Sequence, residues 1–232
     1  MELVTRVALG TMFLSLAYLM FGILSGIVAD GSLEFGDKFV RGVLPGIGGA
    51  LCLGVATLTL AIVFAVLFRD AASDNRAMDQ WIGFEFSEWI GSFSFVAFAG
   101  WLAAVPGLIV GNIGWALTGT ISMLYLSTVV SVFLLAPPLY IAALYNDSVM
   151  NIFSVDVYKS IAGDWVSWYQ TYKFIGLVLL IFFVGYGILC IPFFPVAFIG
   201  GPLHVVAMIV FAIVVGLQAQ HVIVGIQTGD DY

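Results

Sequence analysis

Few side chains in this sequence carry chemistry, and their spacing limits what they can do. The two histidines, His204 and His221, stand 17 residues apart in one apolar stretch. On a single helix, at about 1.5 Å rise per residue, roughly 25 Å separates them. Metal–ligand bonds are about 2 Å long, so the pair cannot share an ion. The same separation excludes bis-histidine haem ligation by this chain alone. His221 follows Gln218 and Gln220 and reads as a satisfied histidine at the cytoplasmic end of its helix. Glu85 and Glu88, three residues apart, share a helix face. Paired carboxylates can do acid–base or metal chemistry; between Trp81 and Trp89 these two read first as a solvated face. Ser25, within Gly22-Ile23-Leu24-Ser25-Gly26, is the one serine suggestive of intramembrane nucleophilic chemistry, which would need a histidine from another helix. Cys52 and Cys190 sit inside apolar runs and read as small buried hydrophobes. The sequence has no phosphate-cradling Gly-x-x-x-x-Gly-Lys loop. The expectation is therefore no catalytic residue, no metal site and no cofactor, in a protein that is not an enzyme.

The elements that would position these residues follow from composition. The 232 residues are 62% hydrophobic and only 9% charged, against about 25% charged in a soluble domain. So little charge cannot cover a surface in water, which excludes a soluble enzyme and a disordered regulator. Fourteen acidic residues against seven basic ones, a net charge of −7, argue against nucleic acid as a partner. The solvent that suits this chain is a lipid bilayer.

A membrane helix needs about 20 consecutive apolar residues. Six runs qualify: Val7–Val28, Val43–Phe68, Phe93–Val110, Ile113–Ala136, Phe174–Ile191 and Leu203–Val224. They are continuous rather than alternating, unlike the strands of an outer-membrane barrel. The expected fold is an all-α integral membrane helical bundle, one multi-pass domain over residues 1–232. Val7–Val28 is too long for a signal-peptide core and reads as a retained span. Gly111-Asn112 reads as the turn between the third and fourth spans. Pro45 is placed in a first helical turn, and Pro137-Pro138 is expected to kink a fourth helix that runs on to Leu144. Two interfacial amphipathic helices are expected, over 81–90 and 156–172. In the second, Val157, Ile161, Trp165, Trp168 and Tyr172 form an apolar face, while Lys159, Ser160, Asp164, Ser167, Gln170 and Thr171 form a polar one.

With six spans, both termini and both long loops share a side, which carries Arg6, Arg69, Arg76, Lys159 and Lys173; Lys38 and Arg41 fall on the other. The positive-inside rule then places both termini in the cytoplasm. None of the six runs contains Asp, Glu, Lys or Arg, whereas ion-coupled carriers usually place ionisable groups mid-membrane. Small residues recur at helical spacing in Gly22/Gly26, in Gly42, Gly46, Ala50 and Gly54, and in Gly107/Gly111. Such stripes let helix backbones approach closely. Bundle packing is their first reading. The Gly42–Gly54 stripe also suits a homo-oligomer or a membrane-protein partner.

Two stretches carry a family resemblance. Asp79-Gln80-Trp81, Phe86-Ser87-Glu88-Trp89-Ile90 and Ala104-Val105-Pro106-Gly107 resemble the "W-P-[acid] … acidic-W-[IL] … P-G" passage of uncharacterised planctomycete-type polytopic membrane proteins; Ile82 stands where that family has Pro. Leu135-Ala136-Pro137-Pro138-Leu139-Tyr140 through Leu144-Tyr145-Asn146-Asp147-Ser148 resembles the same family's "P-P-[apolar] … L-[EN]-[ND]-S" passage. The likeness runs from Arg69 to Gly225. It extends more weakly to six-helix bacterial domains of unknown function and to the membrane portion attached to some glycerophosphodiesterases. The resemblance implies a bacterial inner-membrane protein of about six helices with no assigned activity and no functional residues to carry over.

The expected function is that of a non-enzymatic multi-pass membrane protein, structural or accessory within a membrane complex. The alternative is a carrier or channel for a small neutral or lipidic solute, with a midplane pocket lined by Asn112, Thr118, Thr120 or Ser122.

Overall fold

A computed structural model describes residues 2–73, 86–148, 151–189 and 197–228. Among them are seven helices and no strand: α1 (Glu2–Ala29), α2 (Phe35–Ala72), α3 (Phe86–Thr118), α4 (Ser122–Tyr145), α5 (Val155–Gly163), α6 (Trp165–Leu189) and α7 (Ala197–Thr228). Six are long and apolar enough to cross a membrane; α5, with 9 residues, is not. The chain divides into two compact units, Met1–Val63 with Leu180–Met208 and Phe64–Leu179 with Ile209–Tyr232.

In the first unit α1 packs antiparallel on the first part of α2. Gly10 lies against Leu60, Met20 and Phe21 against Gly49, and Leu24 against Gly42 and Gly46. A Cβ added at Gly49 would stand 3.1 Å from the Phe21 ring and 3.2 Å from Met20 Cβ. The small-residue stripe therefore splits. Gly42 and Gly46 serve this hairpin, whereas Ala50 and Gly54 are exposed and nothing lies within 4 Å of a Cβ at Gly54. The connection is held by Asp30, whose Oδ1 accepts from the Ser32 hydroxyl at 2.6 Å and from the Ser32 N–H at 2.8 Å. Lys38 Nζ donates to the Val28 carbonyl at 3.0 Å, where α1 ends. Pro45 does not open a helix as expected. The helix begins at Phe35, ahead of the apolar run, because Asp37 in its first turn complements the helix dipole.

In the second unit α3 and α4 form a tight antiparallel pair. Their turn is not at Gly111-Asn112, through which α3 runs unbroken to Thr118. Gly119 makes the turn instead. Its φ of +69° is the left-handed region that glycine tolerates, and its N–H bonds the Trp115 carbonyl at 2.7 Å, an αL cap. Gly111 is a packing residue. A Cβ there would run into the Ser127 hydroxyl and stand 2.7 Å from Leu124 Cα. Gly107 likewise meets α4 at Ser127, Thr128 and Ser131. Asn112 spends its amide on the Leu108 carbonyl of its own helix at 2.7 Å.

Two of the three prolines in this pair, Pro106 and Pro138, have a neighbour that handles the backbone they disturb. Beside Pro106, Ser131 Oγ accepts from Gly107 N–H at 3.1 Å and donates to the Ala103 carbonyl at 2.6 Å. The hydroxyl thus bridges two groups one helical turn apart, on either side of the proline. Pro137 and Pro138 stay inside α4, which continues to Tyr145 as expected. Pro138 has no N–H for the Leu134 carbonyl; that carbonyl accepts from the Tyr172 hydroxyl at 2.8 Å. Rings fill the centre of this unit. Phe64 and Phe95 lie 5.0 and 5.4 Å from Tyr140, and Phe133 lies 5.0 Å from Phe211. Tyr140, 4% exposed, pays its polar cost by donating to the Val96 carbonyl at 3.0 Å.

Of the expected interfacial helix at 81–90, residues 81–85 lie outside the described residues. Residues 86–90 are the first turn of α3.

Candidate functional site

Among the described residues, side chains hydrogen-bonded to one another join the α5–α6 corner to α7. Ser154 opens α5 as an N-cap in extended conformation, its side chain accepting from Val157 N–H. The helix stops at Gly163. Asp164, at φ −115° and ψ 58°, gives its N–H to Ser160 and leaves helical geometry. Its carboxylate then caps the next helix, Oδ1 accepting from Ser167 N–H at 3.3 Å. The single amphipathic helix expected over 156–172 is therefore two pieces, α5 and the first two turns of α6. The physical reason is Gly163-Asp164: an aspartate beside a glycine competes with the helix for backbone donors and favours a cap.

Burial corrects the expected faces as well. Trp168 is fully buried, and its indole N–H donates to Ser160 Oγ at 3.3 Å. Ser160 in turn donates to the Val157 carbonyl at 2.7 Å. Ser160 and Thr171, assigned to the polar face, are buried. Trp165, assigned to the apolar face, is 61% exposed.

Two side chains of α7 meet this corner. Gln218, 5% exposed, accepts at Oε1 from Ser167 Oγ at 2.9 Å and Thr171 Oγ1 at 2.8 Å. One turn further, His221 Nε2 lies 2.6 Å from Asp164 Oδ2. Asp164 thus ends α5 through its backbone N–H, and with one carboxylate starts α6 and holds α7. An aspartate–imidazole pair is also the orienting half of a nucleophilic triad. Here the Ser167 hydroxyl is committed to Gln218, not to the imidazole. The arrangement ties helices together. The role of Gln218 was not legible in advance, because nothing in a lone glutamine late in an apolar run names its partners. Asp164 did carry a signal, since Asp just ahead of a periodic run is a helix start.

The other residues with chemical potential are dispersed. His204 belongs to the first unit, where Nδ1 pairs with the Gly200 carbonyl at 2.8 Å and the ring lies 4.5 Å from Phe182 and 5.9 Å from Tyr18. Ser25 is exposed on α1, and Cys52 is a half-buried free thiol. Glu85 and Cys190 lie outside the described residues. No three His, Cys, Asp or Glu side chains cluster as a metal site among the described residues. Thr118, Thr120 and Ser122 sit at or beside the α3–α4 turn, at the end of a span, and do not meet Asn112 in a midplane pocket.

No protein-family model, curated protein or solved structure matches this chain.

Proposed function

We propose that this is a non-enzymatic, structural or accessory protein of a bacterial cytoplasmic membrane, belonging to the polytopic family it resembles and acting within a larger membrane complex. The six long apolar helices make the chain a multi-pass membrane protein. Arg6, Arg69, Lys159 and Lys173 then favour cytoplasmic termini over the side that carries Lys38 and Arg41.

The observation that carries the accessory reading is how span hydroxyls are used. Thr11, Thr57, Thr59 and Thr128 each donate to the carbonyl four residues back on the same helix, at 2.7 to 2.8 Å. Ser131 and Tyr140 donate to carbonyls of the neighbouring helix. These groups serve backbone and packing rather than converging on a solute. The open half of the α2 stripe, Ala50 and Gly54, is where a partner helix or a second copy could approach closely.

The test is extraction in mild detergent, with crosslinking and mass measurement. An assembly heavier than the 25.0 kDa chain is expected, and Gly54→Ile should shrink it without changing the melting of the chain itself. A 25.0 kDa species with no crosslinked partner would overturn the proposal.

A further inference from the structure

We infer that α5 and the first two turns of α6 form a shelf lying in the headgroup layer of the bilayer, with the side chains of Phe153, Val155 and Tyr158 dipping toward the acyl chains. The occupant of this exposed face is lipid. The inference rests on the reading of the chain as membrane-spanning and specifies which segment meets the interface and how.

Three observations carry it. First, the outer face of α6 is continuous with a lipid-facing stripe. Val166, Tyr169, Lys173 and Leu177 follow one another at helical spacing, and all are exposed, at 70%, 52% and 53% for the three uncharged ones. Leu177 lies within the uncharged apolar run Phe174–Ile191, so its surroundings are acyl chains. Lys173, one turn nearer the corner, must hold its ammonium in the headgroups by extending its stem along the helix. That sets the hydrocarbon boundary near Phe174, and puts Trp165 and Tyr169 at the depth where amphipathic rings belong.

Second, the stripe does not stop at the corner. On α5, Val155, Tyr158, Lys159 and Ala162 recur at helical spacing and are exposed, while Val157 and Ser160 face inward and are buried. Phe153, 66% exposed, and Val155, 69% exposed, precede the turn. An aromatic and aliphatic outer face with a lysine beside it suits the boundary between headgroups and acyl chains, not bulk water.

Third, the corner is held rigidly enough to present that face. Ser160, Trp168 and Asp164 fix α5 on α6, and α5 also rests on α4. The shelf carries Lys159 and Lys173 against Asp156 and Asp164, so its attraction is to the interface itself rather than to anionic lipid in particular.

The test is depth measurement by spin labels in liposomes, on the full chain with C52S and C190S. Labels go on F153C, V155C, D156C and L177C, and collision with oxygen is compared with collision with a water-soluble nickel chelate. L177C should be strongly oxygen-favoured and D156C chelate-favoured. F153C and V155C should shift from the D156C value toward the L177C value. If both match D156C while L177C stays oxygen-favoured, the shelf faces water and the inference fails alone. If L177C is chelate-favoured too, the membrane-spanning reading itself has failed. Tyr158→Cys replaces either α5 variant that does not insert, with the same expected shift.

Discussion

Asp164 Oδ2 lies 2.6 Å from His221 Nε2, while Oδ1 of the same carboxylate accepts from the Ser167 N–H. One side chain therefore starts α6 and fastens α7 to it. The cap and the aspartate–histidine contact should separate by mutation. Asp164→Ala removes both and should cost about 1–2 kcal/mol, most of it from the cap. Asp164→Asn keeps a capping oxygen and should cost less. The pair itself is partly exposed, with 55% of the His221 side chain and 27% of Asp164 accessible, so His221→Ala should cost under about 1 kcal/mol. Adding His221→Ala to Asp164→Ala should cost nothing further. Unfolding of the four proteins by steric trapping in bicelles measures each difference.

Tyr172 and Pro138 make a second separable pair. Tyr172→Phe leaves the Leu134 carbonyl without its donor and should destabilise by about 0.5–1.5 kcal/mol. Pro138→Ala restores a backbone N–H one turn from that carbonyl. In its presence the Tyr172→Phe penalty should shrink, which a double-mutant cycle reads directly.

The glycines sort by what a side chain would meet. Gly111→Ala drives a methyl into Ser127 and Leu124 and should cost about 1–3 kcal/mol by overpacking. Gly54→Ala and Gly26→Ala, with nothing within 4 Å, should not destabilise the chain. Thermal melts in one detergent compare the three. Equal losses at all three sites would contradict the α3–α4 contact.

Alkaline pH should act through Tyr158. The Tyr158 side chain is 37% exposed, and the partial burial it does have pushes its hydroxyl up from the ordinary tyrosine value. The folded state then holds the proton more tightly than the unfolded chain does. The stabilisation is complete below a pH of about 10, the unfolded value, and is lost as pH rises through the higher folded value. Tyr158→Phe cannot ionise, so its stability should fall less steeply than wild type over that window. Melting temperatures on both sides of it give the comparison.

Much of this architecture was legible in the residues alone. Six uncharged apolar runs, each long enough to span a bilayer, dictate six helices because lipid offers the backbone no other partner. The continuation of α4 past Pro137-Pro138 to Tyr145 also follows from local sequence. Where local signals competed, the sequence was ambiguous. Gly111-Asn112 has the residue types of a turn, and only the packing of α4 against Gly111 decides that it is a contact, the chain turning at Gly119 instead. Val157 to Tyr172 keeps helical periodicity across Gly163-Asp164, which outweighs the capping signal of Asp164 until its carboxylate finds Ser167 and His221.

Periodicity reports which residues share a face, and composition reports which solvent that face can tolerate; both are properties of the chain read in order. Which neighbour fills a face is a property of approach between segments far apart in sequence. Gln218 and Thr171 are 47 residues apart, as are many pairs that never meet. Their meeting is decided by how α6 and α7 pack, through short-range contacts that leave no trace in the order of residues.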